Sequence, residues 1–318
     1  MPSKDCSMPS WTSPIRSNLS QSKPDNAWAQ EIAEKIRSLS LDDIPVCSQD
    51  AFQGLSTEAK EATILIAAIT ATWRRDRLDE FGPLRGWRDE MYTVFAKRGT
   101  PALMLERAAC GLFGVVTYGA HLNAYVLPDP SLLPPKPSLE AIKAHRLRTR
   151  VWCPRRAMNK ATYPGMLDNT VAGGISNGLS PFETIVKEAD EEASIPEIVA
   201  RTQILPVGVI SYLYADGEVE DRAGYIQPEV QYCFDIEVAD PREAGAIIPR
   251  PNDGESEAFE LLDCNEILAI IKQGKFKPNC ALVLIDFMIR RGILTEEDEP
   301  AYIELLERLH RRLPFPTR

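Results

Sequence analysis

Between residues 173 and 195 the chain reads GGISNGLSPFETIVKEADEEASI, a glycine-rich turn running into a short helix that carries Glu188, Glu191 and Glu192. Residues three and four apart share a helix face, so Glu188 stands over both later glutamates. Like charges at these spacings destabilise an isolated helix. A hard divalent cation that gathers their oxygens removes the penalty, and Mg²⁺ or Mn²⁺ suits a carboxylate set. The alternative is a solvated acidic face balanced only by Lys187.

The start of this helix is well marked. Ser180 is a good N-cap, Pro181 fits the first helical position, and Glu183 stands where a capping box is closed. Phe182, Ile185, Val186 and Ala189 make an apolar stripe opposite the acids. Gly173, Gly174 and Gly178 are expected to permit the tight turn by entering left-handed backbone.

The length, 318 residues, allows one large or two modest domains. Acidic side chains outnumber basic ones by 46 to 36, which disfavours a duplex-binding surface, so no nucleic-acid partner is expected. Seven dispersed cysteines without a CxxC pair, and three isolated histidines, argue for reduced thiols and against a zinc site. No apolar run spans a bilayer and no secretion signal opens the chain, so the expected setting is cytoplasmic, without a membrane partner, as a monomer or homodimer.

Residues 1–26 read as a flexible tail and 27–112 as a helical N-terminal region, with helices at Trp28–Leu39 and Ser56–Trp73 and mostly helical character as far as Phe95. From residue 113 to 318 strands and helices interleave, which predicts an α/β layered domain. Its expected parts include a hairpin of 114–118 and 123–127 around Gly119, strands at 149–153, 205–215, 231–238 and 258–262, and helices at 265–273, 280–291 and 296–313. The proline-rich segment 128–148 reads as a surface insertion with a short helix at Ser138–Arg146.

The motif resembles the signature of the Nudix hydrolases, G-x5-E-x7-R-E-U-x-E-E-x-G-U, with U a bulky apolar residue. Gly173 takes the first glycine, and Glu188, Glu191 and Glu192 the metal-binding glutamates. Leu179 stands in place of the early glutamate, Lys187 of the arginine, and Ser194 of the late glycine. In the family that glutamate and arginine brace the loop against the helix, and lysine does not reproduce an arginine fork. The resemblance implies an α/β/α sandwich with a mixed sheet, preceded here by a small mainly helical region.

Longer stretches, FGVVTYGAHLNAY (113–125), VWCPRRAMNKATYPGMLDNTVAGGIS (151–176), PFETIVKEADEEASIPE (181–197) and GKFKPNCALVLIDFMIRRGIL (274–294), are similar to the Nudix subfamily related to fungal thiamine pyrophosphokinase proteins. That implies Mg²⁺- or Mn²⁺-dependent cleavage of thiamine diphosphate, or its oxidised analogues, to the monophosphate. Hydrolysis of oxidised nucleoside triphosphates, hydrolysis of a terpenoid diphosphate, and silent diphosphate binding stay open as alternatives.

The expected ligands are Glu188, Glu191 and Glu192, completed from a distant loop by Glu257, or second by Glu255, with Glu188, Glu191 and Glu257 catalytic. Arg155, Arg156 and Lys160 supply charge for phosphoryl oxygens. Asp168 and Asn169 orient the glycine loop or touch ligand, and His121 is a further ligand contact. Tyr118, Trp152, Tyr163 and Tyr232 are candidates to cover a flat ring. Cys153 is not expected to act as a nucleophile.

Overall fold

Ser56 opens the first described helix, α1 (Thr57–Asp76): its Oγ accepts from the Ala59 amide at 3.2 Å. The computed structural model describes residue 52 and residues 55–216 and 225–318, so the expected tail and the helix at 28–39 lie outside it. On the buried face of α1, Thr63 accepts from the Met104 amide at 2.9 Å, fastening the helix to a two-stranded sheet of β1 (Met91–Phe95) and β2 (Pro101–Glu106). Helical character therefore ends before Phe95. The Glu106 carboxylate collects the amides of Arg88, Glu90 and Ala108, which organises the entry to this hairpin. Leu84, Tyr92, Leu105 and Cys110 form the small core of the lobe, with Trp73 and Trp87 packed against it.

The main sheet holds β3 (Thr117–Val126), β4 (Arg150–Arg156), β5 (Val171–Gly174), β6 (Leu205–Asp216), β7 (Tyr225–Glu237) and β8 (Ser256–Asp263). Their order is β6-β7-β3-β4-β8, with β5 beside the first half of β3; β3 and β7 run parallel and the other pairs antiparallel. The sequence TYGAHLNAYV is thus one strand, not the expected hairpin around Gly119. Its glycine makes room instead of turning: a Cβ there would lie 2.1 Å from the Gln231 side-chain oxygen.

Six helices follow the sheet's logic: α2 (Leu139–Arg146), α3 (Pro181–Ala193), α4 (Glu197–Gln203), α5 (Cys264–Lys272), α6 (Pro278–Arg290) and α7 (Tyr302–Leu309). Alternate residues of a strand point to opposite faces. Leu122, Ala124 and Val126 accordingly meet Ile185, Val186 and Ala189 of α3, while Tyr125 and Val151 meet Ile267, Leu284 and Phe287 of α5 and α6. The result is an α/β/α sandwich with a mixed sheet. The expected helix at 296–313 shortens to α7 because Pro300 lacks an amide to donate and Asp298 instead closes a turn onto Thr295. Among the described residues no helix is long and apolar enough to cross a membrane.

Candidate active site

Ser180 caps α3 as expected, its Oγ accepting from the Glu183 amide at 3.1 Å. The capping box is only half made, because the Glu183 carboxylate pairs with Arg201 of α4 at 2.8 Å. At the other end Ser194, in the motif's glycine slot, sits at φ 54°. Left-handed backbone costs a non-glycine residue about 1 kcal/mol. The Ser194 hydroxyl donates to the Arg250 carbonyl at 3.1 Å and helps hold that conformation.

The glycines of the motif divide two tasks. Gly178 has φ 88°, the left-handed backbone expected of it. Gly173 and Gly174 do not; they allow close approach instead. A Cβ on Gly173 would lie 2.7 Å from Glu188 Cγ, and one on Gly174 only 1.8 Å from the Tyr92 hydroxyl. Glu188 therefore lies directly on β5, and Tyr92 brings the N-terminal lobe onto the same strand.

The three motif glutamates have different surroundings. Lys187 donates to Glu191 at 2.6 Å and to Glu188 at 3.3 Å. Glu192 turns inward and accepts from the Ala172 amide of β5 at 3.1 Å. Burial pushes the Glu192 carboxyl up to about 8 against that hydrogen bond, and the charges of Glu188, Asp168 and Glu255 add to the rise. Burial likewise raises Glu188, opposed by Lys187.

The carboxylate oxygens of Glu192, Asp253 and Glu255 come within 4.8 Å of one another, the one such trio among the described residues. Glu188 and Glu191 stand outside that trio. Asp253 was missed in the sequence. Its only signal there is a place in the acidic loop NDGESE, where nothing separates it from ordinary surface acids. Glu257 is exposed and lies outside the trio, accepting from the Met158 amide at 3.3 Å. Glu255 is ion-paired with Lys160. Its own burial would raise its carboxyl, but Lys160 and Arg156 outweigh that and hold it below the usual carboxylate range.

The other predicted contacts are largely engaged within the protein. Arg155 donates to Glu260 at 2.6 Å and to the Gly165 carbonyl at 2.9 Å. Arg156, half-buried, donates to Asp168 at 2.8 Å and to the carbonyls of Thr162 and Tyr163. Tyr163 has φ 51°. Asp168 also faces Lys277 at 3.5 Å and accepts from the Cys280 thiol. Burial alone would raise its carboxyl, but Lys277 and Arg156 prevail and hold it down at about 2.

Asn169 bridges His121 at 2.9 Å and Asn123 at 3.0 Å, and the other ring nitrogen of His121 lies 3.1 Å from Gln231. Burial, then the Lys277 charge, drops the imidazole to about 4, so the ring is neutral at ordinary pH. Tyr118 is buried, its hydroxyl accepting from the Arg318 amide at 2.8 Å. Trp152 lies in the core, its indole N–H buried without a partner. Tyr232 packs at the edge of that core. Cys153 is fully buried, and burial lifts its thiol well above the ordinary range, leaving it a poor nucleophile.

Two family models match this chain: a domain of unknown function, DUF4743, over residues 52–117, and the NUDIX domain over residues 140–281. The uncharacterized protein YJR142W of Saccharomyces cerevisiae is 41% identical over 239 residues, covering 74% of this chain and 64% of that protein. Nudix hydrolase 20, chloroplastic, of Arabidopsis thaliana is 35% identical over 237 residues, covering 74% of this chain and 55% of that one. Nudix hydrolase 24, chloroplastic, of the same plant is 34% identical over 230 residues, with 72% and 55% covered. The chain thus spans between 55% and 64% of the length of these relatives. Motif, layered sheet and family match agree: this chain carries a Nudix domain and is a homologue of Nudix hydrolases.

Proposed function

We propose that the chain is a divalent-cation-dependent hydrolase of a diphosphate bond, cleaving thiamine diphosphate or its oxidised analogues to the monophosphate and phosphate. The observation that carries this reading is the group of Glu192, Asp253 and Glu255, with oxygens within 4.8 Å and Glu188 close by on β5. An all-oxygen donor set, one member of which is strained toward neutrality by burial, fits Mg²⁺ or Mn²⁺. Glu188, Glu191, Glu192, Asp253 and Glu255 would hold the ion, and Glu257 is the further acid available to take a proton from water. When bound, such a cation neutralises diphosphate oxygens and makes the phosphorus more open to attack by water.

Lys160 and Arg156 set positive charge beside Glu255 for phosphoryl oxygens, with Arg155 a further cation at the end of β4. Asp168, Asn169 and His121 form the polar frame beneath β5. Tyr163 and Tyr232, both partly accessible, suit a flat ring better than the buried Tyr118 and Trp152. The thiamine assignment rests on the four matching stretches outside and around the motif. In this reading residues 27–112 form a separate lobe and 113–318 the hydrolase domain, with 128–148 inserted.

The test is a screen of diphosphates and triphosphates with Mg²⁺ and Mn²⁺ and identification of the products. Orthophosphate released from thiamine diphosphate is expected, and Glu192→Gln or Glu191→Gln is expected to lower turnover at least ~100-fold. Pyrophosphate released from an oxidised nucleoside triphosphate, or preference for a terpenoid diphosphate, would overturn the substrate assignment. Tight binding without turnover with either metal would sink the enzyme reading.

A further inference from the structure

We infer that the N-terminal lobe is the brace of the Nudix loop, with Glu90, Tyr92 and Thr93 of the β1 segment acting as positioning residues for the glutamates of α3. The loop from Ile175 to Ser180 joins β5 to α3, and where it sits decides how the helix lies across the strand. Glu192 is bonded to β5 through Ala172, and Glu188 lies on Gly173. A shift of the loop therefore slides both carboxylates along the strand that holds them.

Among the described residues no ion pair ties this loop to its own helix. Leu179 is aliphatic, and the Lys187 ammonium lies against Glu191 and Glu188, both on α3 itself. The polar ties come instead from a segment some eighty residues earlier. Ser176 donates its hydroxyl to Glu90 at 2.7 Å, the Asn177 amide donates to the Met91 carbonyl at 2.9 Å, and the Thr93 hydroxyl donates to the Asn177 side chain at 2.6 Å. The Tyr92 hydroxyl fills the space left by the missing side chain of Gly174. Beyond these, the Ile175 amide donates to the Tyr118 carbonyl of β3 at 2.9 Å and the Arg318 guanidinium touches the Leu179 carbonyl at a long 3.4 Å.

The brace is itself fixed. Arg107 donates to Glu90 at 2.9 Å and lies over the Tyr92 ring at 5.6 Å, and that ring is buried in the lobe's core. Glu90 thus reaches Ser176 from a carboxylate already oriented on its far side. The lobe is then a working part of the metal centre and not an appendage beside it.

The consequence for the ion rests on the function proposed above, but the brace can be tested without turnover. Amide hydrogen exchange is read on the metal-free protein for Glu90→Ala with Thr93→Val, and Mn²⁺ binding by calorimetry. Exchange across Ile175–Ser180 is expected to quicken about tenfold, the scale of one lost hydrogen bond to a charged group, with Mn²⁺ affinity falling by a similar factor. Ser176→Ala cuts one tie from the loop side without touching the lobe, and keeps the test decisive if the double variant does not fold. Ser176→Thr keeps the hydroxyl and is expected to restore wild-type exchange. Unchanged loop exchange in folded Ser176→Ala would overturn the brace. Absence of any hydrolysis by the wild type would sink the proposed activity and leave the brace standing.

Discussion

At the scale of single residues, Glu192 carries the clearest consequence. Its carboxyl lies at about 8 in the fold, above the ordinary 4.5, so the fold favours the neutral acid. The stability this contributes is complete below about pH 4.5 and is lost as the pH climbs through about 8. A bound cation reverses the preference by stabilising the carboxylate. Metal-stripped protein is therefore expected to melt at progressively lower temperature from about pH 5 to pH 8 relative to its Glu192→Gln variant, and Mg²⁺ is expected to abolish that difference. Thermal melts across the pH series with chelator or Mg²⁺ check this. A wild-type curve parallel to that of the variant would refute it.

At the scale of elements, the packing on β5 depends on two glycines that serve by being small, Gly173 beneath α3 and Gly174 beneath Tyr92 of β1. Gly173→Ala puts a Cβ 2.7 Å from Glu188 Cγ, an atom near the root of that side chain that has little room to swing aside. The expected outcome is a folded protein whose Mn²⁺ affinity drops about tenfold, because Glu188 must leave its seat on the strand. Calorimetry beside a far-ultraviolet spectrum checks it, and unchanged affinity would show that Glu188 is free to hold the ion from elsewhere. This packing was only half legible beforehand. The cap at Ser180 and the apolar stripe of α3 follow from local chemistry, so the start of the helix was found to the residue. The role of Gly174 was not, because its partner Tyr92 lies far away in sequence.

At the scale of the whole molecule, Asp168 ties the sandwich together. It joins Arg156 at the end of β4, the strand approach to β5, and Lys277 and Cys280 at the start of α6. Asp168→Ala leaves two mostly enclosed cations, Arg156 and Lys277, without their buried anion, and is expected to destabilise the fold by about 3 kcal/mol in urea unfolding. Its carboxyl is held down at about 2, so its contribution is present above the ordinary 3.8 and is lost as acid carries the pH through about 2. A loss below about 1 kcal/mol would show that water reaches the pair and that it is worth no more than a surface bridge. Asp168 and Asn169 were singled out in the sequence as orienting the glycine loop or meeting ligand; the structure holds both in a buried polar network with Arg156, His121 and Asn123. Arg155 and Arg156 were read as charge for phosphoryl oxygens; that they also pair with Glu260 and Asp168 could not be seen, since a sequence displays charge but not its partners.

What the sequence determined by itself was whatever depends on neighbours a few residues apart: the acidic helix, its cap and apolar stripe, and most strand and helix positions. Tertiary structure alone decided what depends on distant partners: that Gly119 clears space for Gln231 within an unbroken strand, that Asp253 joins Glu192 and Glu255, and that Glu90 reaches Ser176. The physical reason is range. Periodicity and capping act through bonds along the backbone, whereas a carboxylate trio or a braced loop exists only once the chain has closed on itself.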